Sequence, residues 1–134
     1  PLALIGAGVL ISKSERTEVE AEPWSVERVA EIQAEGRPVL VNFTADWCVT
    51  CKVNEGAALS STAVADALSA ANAAYLKADW TKPDEAIAQA LAQHGRAGVP
   101  LYLVYPAAGG EPEVLPQLLT AGIVREAIER AAAK

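Results

Sequence analysis

The chain has 134 residues, 51% of them hydrophobic, with 11 basic against 17 acidic side chains and a net charge of −6. That length fits one domain burying roughly two thirds of the surface its unfolded form exposes. The acidic balance excludes nucleic acid and anionic membrane surfaces as direct ligands, because phosphate binding needs clustered lysine and arginine, and the sequence has no such cluster.

Residues Pro1 to Ile11 are uncharged and almost wholly apolar, about half the length a bilayer-spanning helix requires. They fit the end of a transmembrane helix that continues outside the sequence, which is the favoured reading, a signal-peptide remnant, or an apolar stretch that docks on the domain. Lys13 and Arg16 are too few to orient the segment against Glu15, Glu18, Glu20 and Glu22. Ser12 to Glu22 is acidic and lacks apolar periodicity, so residues 1–22 read as a tip and linker and residues 23–134 as the domain.

Ser25 is a natural N-cap for a helix carrying Val26, Val29, Ala30 and Ile32, which stops at Gly36 and Pro38. Val39 to Phe43 is apolar on both alternations except at Asn42, as in a central strand covered on both faces. A helix from about Cys48 to Leu59 follows, then a short one from Thr62 to Ser69 and a strand from Ala73 to Ala78. Pro83 is placed near the first turn of the next helix, where Ile87, Ala90, Leu91 and His94 recur at helical spacing before Gly95. Leu101 to Tyr105 is a strong strand, and Glu113 to Leu115 a shorter one across the turn at 107–110. Ile123, Val124, Ala127, Ile128 and Ala131 mark a terminal helix. This αβαβαββα order predicts an α/β domain, a central mixed sheet with helices on both faces.

Both cysteines lie three residues apart in Thr44-Ala45-Asp46-Trp47-Cys48-Val49-Thr50-Cys51-Lys52, between a strand and a helix start. A first helical turn brings such a pair onto one face, where it can close and reopen a disulfide. The attacking species in disulfide exchange is the thiolate. The unpaired N–H groups and dipole of a helix N-terminus favour its charge by about 0.3–1 kcal/mol, rising to about 2 when partly buried. Cys48, at the helix mouth, gains more than Cys51, so Cys48 reads as the nucleophile and Cys51, one turn deeper, as the resolving thiol.

Two other readings of the pair are weaker. Tetrahedral zinc needs four ligands, and beyond these cysteines the chain offers one histidine, His94. A structural disulfide across so short a loop would restrain little of the unfolded chain. His94 itself, near a helix end, reads as a cap or surface residue. The sequon Asn42-Phe43-Thr44 falls in a buried strand and is discounted. Trp80 and Tyr75 read as packing residues, and Trp47 as packing beside the disulfide and shaping a docking surface.

The run Val41 to Glu55, with Ala78-Asp79-Trp80-Thr81 and Gly98-Val99-Pro100 downstream, resembles the C-terminal thioredoxin-like domain of DsbD-type thiol:disulfide interchange proteins, which are bacterial inner-membrane protein-disulfide reductases. The similarity covers roughly Trp24 to Ala127. It implies a thioredoxin-like fold and a periplasmic domain held after a last transmembrane helix. Such a domain takes electrons from a membrane-embedded domain and passes them to an N-terminal periplasmic domain of the same protein. It works through the redox-active disulfide Cys48–Cys51 with no other cofactor, and as an isolated domain it is monomeric.

Carried over by position, the resemblance makes Pro100 a proline with a cis preceding bond facing the CxxC, which frees Val99 backbone groups to pair with an incoming chain. An ordinary proline at a strand start is the alternative. Glu55, seven residues after Cys48, matches an acidic residue near the family's active site, where a carboxylate raises a thiol pKa; a solvated charge is the alternative. Asn42 departs from the family, which usually has a buried aspartate there as a proton relay. An amide cannot titrate, so Asn42 is left to orient a water or bond near Cys51, with Glu55 or Asp46 taking over proton transfer. The competing functions are a free-standing thioredoxin-like oxidoreductase and a non-catalytic CxxC metal-binding module.

Overall fold

The computed structural model describes residues 19–133. The apolar tip and most of the predicted linker therefore lie outside the described residues. The elements are β1 (Glu22–Pro23), α1 (Val26–Ala34), β2 (Val39–Thr44), α2 (Val49–Asn54), a π-helical turn (Glu55–Leu59), α3 (Thr62–Ala71), β3 (Ala74–Asp79), α4 (Glu85–Gln93), β4 (Leu101–Tyr105), β5 (Glu113–Val114) and α5 (Ala121–Ala132).

The five strands form one mixed sheet in the order β1-β3-β2-β4-β5. β3 runs parallel to β1 and β2, whereas β4 is antiparallel to both β2 and β5. All six residues of β2 are buried, which explains why its sequence lacks a polar face. Val39, Val41 and Phe43 join α1 and α4 residues such as Ile32, Ile87 and Leu91 in one core. Leu40 points the other way, into a second core with Leu59, Val64, Tyr102, Val124 and Ile128. The strand period of two puts Asn42 and Thr44 on Leu40's side of the sheet, beneath α2 and the π-turn. Helices thus cover both faces, as the αβ alternation requires.

Ser25 caps α1 as the sequence predicts, and the starts of α3, α4 and α5 use the same chemistry. Ser25, Ser61 and Thr120 hydroxyls and the Asp84 carboxylate each accept a backbone N–H three residues on, satisfying donors the helix leaves orphaned. Pro83 was placed near the first turn of α4, but it lies ahead of the cap: Asp84 has the extended backbone and the capping carboxylate, 3.0 Å from the Ile87 amide. His94 is the C-cap of that helix.

Two elements escape the sequence pattern. β1 is too short to show periodicity; it is held by parallel pairing with Leu76 and Lys77 and by the Arg28–Glu22 pair at 2.8 Å. The helix predicted to run unbroken to Leu59 is α-helical only as far as Asn54. It then widens, with the Ser60 amide and hydroxyl both donating to the Glu55 carbonyl at 2.9 and 2.7 Å. Such π-turns recur beside functional sites.

Candidate active site

β2 ends at Thr44 and the chain turns through Ala45, Asp46 and Trp47 into α2, the strand-to-helix passage that the sequence pattern implies. Cys48 is the N-cap of α2. Its backbone is extended and its sulfur accepts the Cys51 N–H at 3.1 Å. The two sulfurs are bonded to each other, with the Cα atoms 5.2 Å apart. Cys51 is fully buried and Cys48 is 7% exposed, so a reactant from outside reaches Cys48 first. The pair packs with Ala45, and Val99 lies against that cluster.

The Val99–Pro100 bond is cis, and Pro100 is buried at the start of β4. Arg96 reaches the same turn, donating from Nη1 to the Pro100 carbonyl at 3.1 Å. Nothing in the sequence pattern singled out Arg96, because its partner is a backbone atom.

On the opposite flank Thr81 ties two loops together. Its hydroxyl accepts the Asp46 N–H at 2.8 Å, and its carbonyl accepts the Trp47 indole N–H at 3.3 Å. The Thr81 hydroxyl and amide both donate to Asp79, and the hydroxyl bond in particular holds that carboxyl below its ordinary pKa. Trp47 is exposed and its ring lies 6.3 Å from that of Trp80. Trp80 in turn packs on Gly98, next to Val99. Trp47 is thus part of the surface, whereas Trp80 is a packing residue as its pattern suggests.

Beneath α2 lies a polar cluster that only the fold assembles. Glu55 Oε2 accepts from the Thr44 hydroxyl at 2.8 Å and from Asn42 Nδ2 at 3.3 Å, and Asn42 Nδ2 also donates to the Tyr75 hydroxyl at 3.0 Å. The Glu55 side chain is only 20% exposed, so it is not a freely solvated charge; at its outer edge it meets Lys52 at 3.5 Å. Asn42 is fully buried, and its Oδ1 has no partner. The Asn42 amide does not bond to Cys51: both of its donated bonds go to Glu55 and Tyr75. Tyr75 is pushed up to about 12, chiefly by burial and further by the Glu55 charge, with the Asn42 bond opposing. Asp46 stands apart from this cluster, exposed and 3.5 Å from Lys52, a surface pair of small energetic weight.

A second buried amide, Asn54, was not anticipated. Its Nδ2 donates to the Tyr102 hydroxyl at 2.9 Å and to the Gln117 carbonyl at 2.7 Å, while its Oδ1 accepts the Leu119 N–H at 3.0 Å. A lone Asn at a helix position facing the core was the available signal, since a buried polar group needs partners. Among the described residues no group of three or more His, Cys, Asp or Glu side chains is placed to hold a metal ion, and no helix is long and apolar enough to cross a membrane.

Comparison with known proteins agrees with this geometry. The thioredoxin-like family profile matches residues 20–107. The thiol:disulfide interchange protein DsbD of Yersinia pestis is 37% identical over 79 residues, 59% of this chain and 13% of that protein. DsbD 1 of Pseudomonas aeruginosa is 32% identical over 109 residues, 79% of this chain and 18% of that protein. The chain therefore spans under a fifth of the curated relatives it matches. In fold it is similar to the oxidised C-terminal domain of Neisseria meningitidis DsbD, with a TM-score of 0.66 at 22% identity, covering 84% of this chain and 99% of that one. It is similar also to a Thermus thermophilus thioredoxin, with a TM-score of 0.68 at 21% identity, covering 88% and 90%.

Proposed function

Because this chain belongs to the thioredoxin-like family and is a DsbD-like thiol–disulfide oxidoreductase domain, we propose that it works as a protein-disulfide reductase, with Cys48 as nucleophile and Cys51 as resolving thiol. The observation that carries the reading is the helix cap: Cys48 sulfur receives the Cys51 N–H at 3.1 Å and is the more exposed of the pair. An N–H aimed at that sulfur, at the positive end of a helix, favours the thiolate over the thiol.

In the reduced chain the Cys48 thiolate attacks one sulfur of a partner disulfide. A Cys48–partner bond forms as the partner's own bond breaks and its second sulfur leaves as a thiolate. Cys51, giving up its proton, then attacks Cys48 sulfur, closing Cys48–Cys51 and expelling the partner's first sulfur. Two electrons pass to the partner, and its two thiolates take up two protons. A dithiol supplied from elsewhere reverses the sequence and recharges the site.

The donor in this proposal is a membrane-embedded domain and the acceptor an N-terminal periplasmic domain of the same protein. The domain faces the periplasm at a bacterial inner membrane and is monomeric when isolated. Pro100 and Val99 form the wall against which the incoming chain lies, with Trp47 on the other side. Glu55 tunes the thiols, and in the absence of a titratable group at position 42 Glu55 or Asp46 handles the resolving thiol's proton.

The test is trapping. Cys51→Ser accumulates Cys48 mixed disulfides with partners, and Cys48→Ser accumulates none; no adduct with Cys51→Ser would sink the relay. Direction is read from the equilibrium potential, which belongs near the thioredoxin value of about −270 mV for a reductase and near about −120 mV for an oxidant. Tight stoichiometric zinc binding lost with Cys48→Ser would favour a metal module instead.

A further inference from the structure

We infer that Val19, on the approach to β1, is a positioning residue for the exchange chemistry: it closes the cavity that Glu55 lines and keeps water from weakening that carboxylate's repulsion of the thiolate. The inference rests on the tuning role given to Glu55 above.

From Ser12 to Glu22 the sequence is polar and charged except at Val19 and Ala21. An acidic linker has no need of a branched apolar side chain. In the fold Val19 is partly buried and packs against the core that holds Leu59, Val64 and Tyr102, while Glu20 beside it is exposed. What brings Val19 to this place is β1. Glu22 and Pro23 pair with Leu76 and Lys77, the Trp24 amide donates to the Lys77 carbonyl at 2.9 Å, and Arg28 holds Glu22 at 2.8 Å. The short strand thereby anchors the residues just ahead of it along β3.

Val19 stands between two clefts. One, of about 250 Å³, is lined by Val19 together with Glu55, Ser60, Tyr75 and Lys77. The other, of about 370 Å³, lies beside β1 and the end of β3, and Val19 and Lys77 line it too. Truncating Val19 joins the two and opens the Glu55 cavity to water.

The charge in that cavity acts on the redox pair. Glu55 follows Cys51 by four residues, which puts both on one helix face, and its amide donates to the Cys51 carbonyl. Its carboxylate accepts from Thr44 and Asn42 on β2. Among the described residues, the titratable and charged groups that face it are Lys52 on α2 at 3.5 Å, Tyr75 and Lys77 on β3, and Tyr102 on β4. Both tyrosines are raised to about 12 by burial, so they stay uncharged where thiols titrate. The interaction of two charges falls as the local dielectric rises. Water admitted at Val19 therefore reduces what Glu55 does to the thiolate without removing any of its hydrogen-bond donors.

The test follows the rate of Cys48 alkylation against pH in the whole, reduced chain, comparing wild type with Val19→Ser, Val19→Ile, Glu55→Gln and the double variant Val19→Ser/Glu55→Gln. Val19→Ser should move the half-maximal pH about 0.3–0.5 unit lower, part of the shift expected of Glu55→Gln. Val19→Ile keeps the cavity closed and should leave the midpoint where it is. In the double variant Val19→Ser should add nothing to Glu55→Gln, because the charge it would expose is gone.

A Glu55→Gln shift with no Val19→Ser shift overturns the inference alone. So does a Val19→Ser shift that persists undiminished in the Glu55→Gln background, which would make Val19 a packing residue for β1. A Glu55→Gln midpoint equal to wild type overturns the tuning role itself, and the inference with it. Where Val19→Ser fails to fold, Val19→Ala decides by the same criteria.

Discussion

The Asn42 amide donates to the Glu55 carboxylate across 3.3 Å, so the position where relatives of the family usually have an aspartate instead supplies a hydrogen-bond donor to the neighbouring acid. Asn42→Asp would set two carboxylates at that distance in a largely buried site. Like charges raise the pKa of one of them. A folded-state pKa above the unfolded value leaves stability intact at low pH and removes it as pH rises through the raised value. Asn42→Asp should therefore cost about 1–3 kcal/mol at pH 7, and urea midpoints should recover toward wild type below about pH 4. An equal loss at both pH values would point to packing instead of charge.

Glu55→Gln tests the tuning role. Removing a carboxylate near the redox helix relieves the thiolate of a repulsive neighbour, so alkylation of Cys48 in the reduced chain should reach its half-maximal rate about 0.5–1 pH unit lower. An identical profile would leave Glu55 as a structural acceptor only.

Thr44→Val removes the 2.8 Å bond to Glu55 while keeping shape and strand propensity. A hydrogen bond to a charged acceptor is worth about 1.5–3 kcal/mol, and the loss should appear as a lower midpoint in urea at pH 7. The equilibrium potential should move less than with Glu55→Gln, because the charge remains.

Tyr75 gives an alkaline signature. Its phenol titrates near 10.0 when unperturbed and at about 12 in the folded chain, because burial opposes the phenolate. Between those values the folded state holds a proton the unfolded state has lost, so stability is complete below the lower value and falls as pH rises toward the upper one. Tyr75→Phe should flatten this fall. Tyr102, also raised to about 12 by burial, should preserve part of it. Urea unfolding from pH 9 upward reads both.

Much of this was legible in the sequence because it depends on neighbours along the chain. The helix start at Ser25, the buried run of β2 and the placement of both cysteines at a strand-to-helix turn each follow from a few consecutive residues. β1 was missed because two residues carry no period, and the π-turn because its widening is set by where Glu55 and Ser60 must bond. Pro83 lies outside the first turn where the sequence places it because proline and aspartate both suit a helix start, and the capping geometry chose Asp84.

The sequence by itself determined that this chain holds a reversible two-cysteine site in an α/β domain, because i, i+3 spacing, apolar alternation and capping are local properties of a polypeptide. Only the tertiary structure decided what surrounds that site. Glu55 meets Asn42 and Thr44 from another element, and Asn54 reaches Gln117 and Leu119 across the fold. A side chain's partner across a sheet or helix interface depends on register and approach, and these are fixed by packing the whole core.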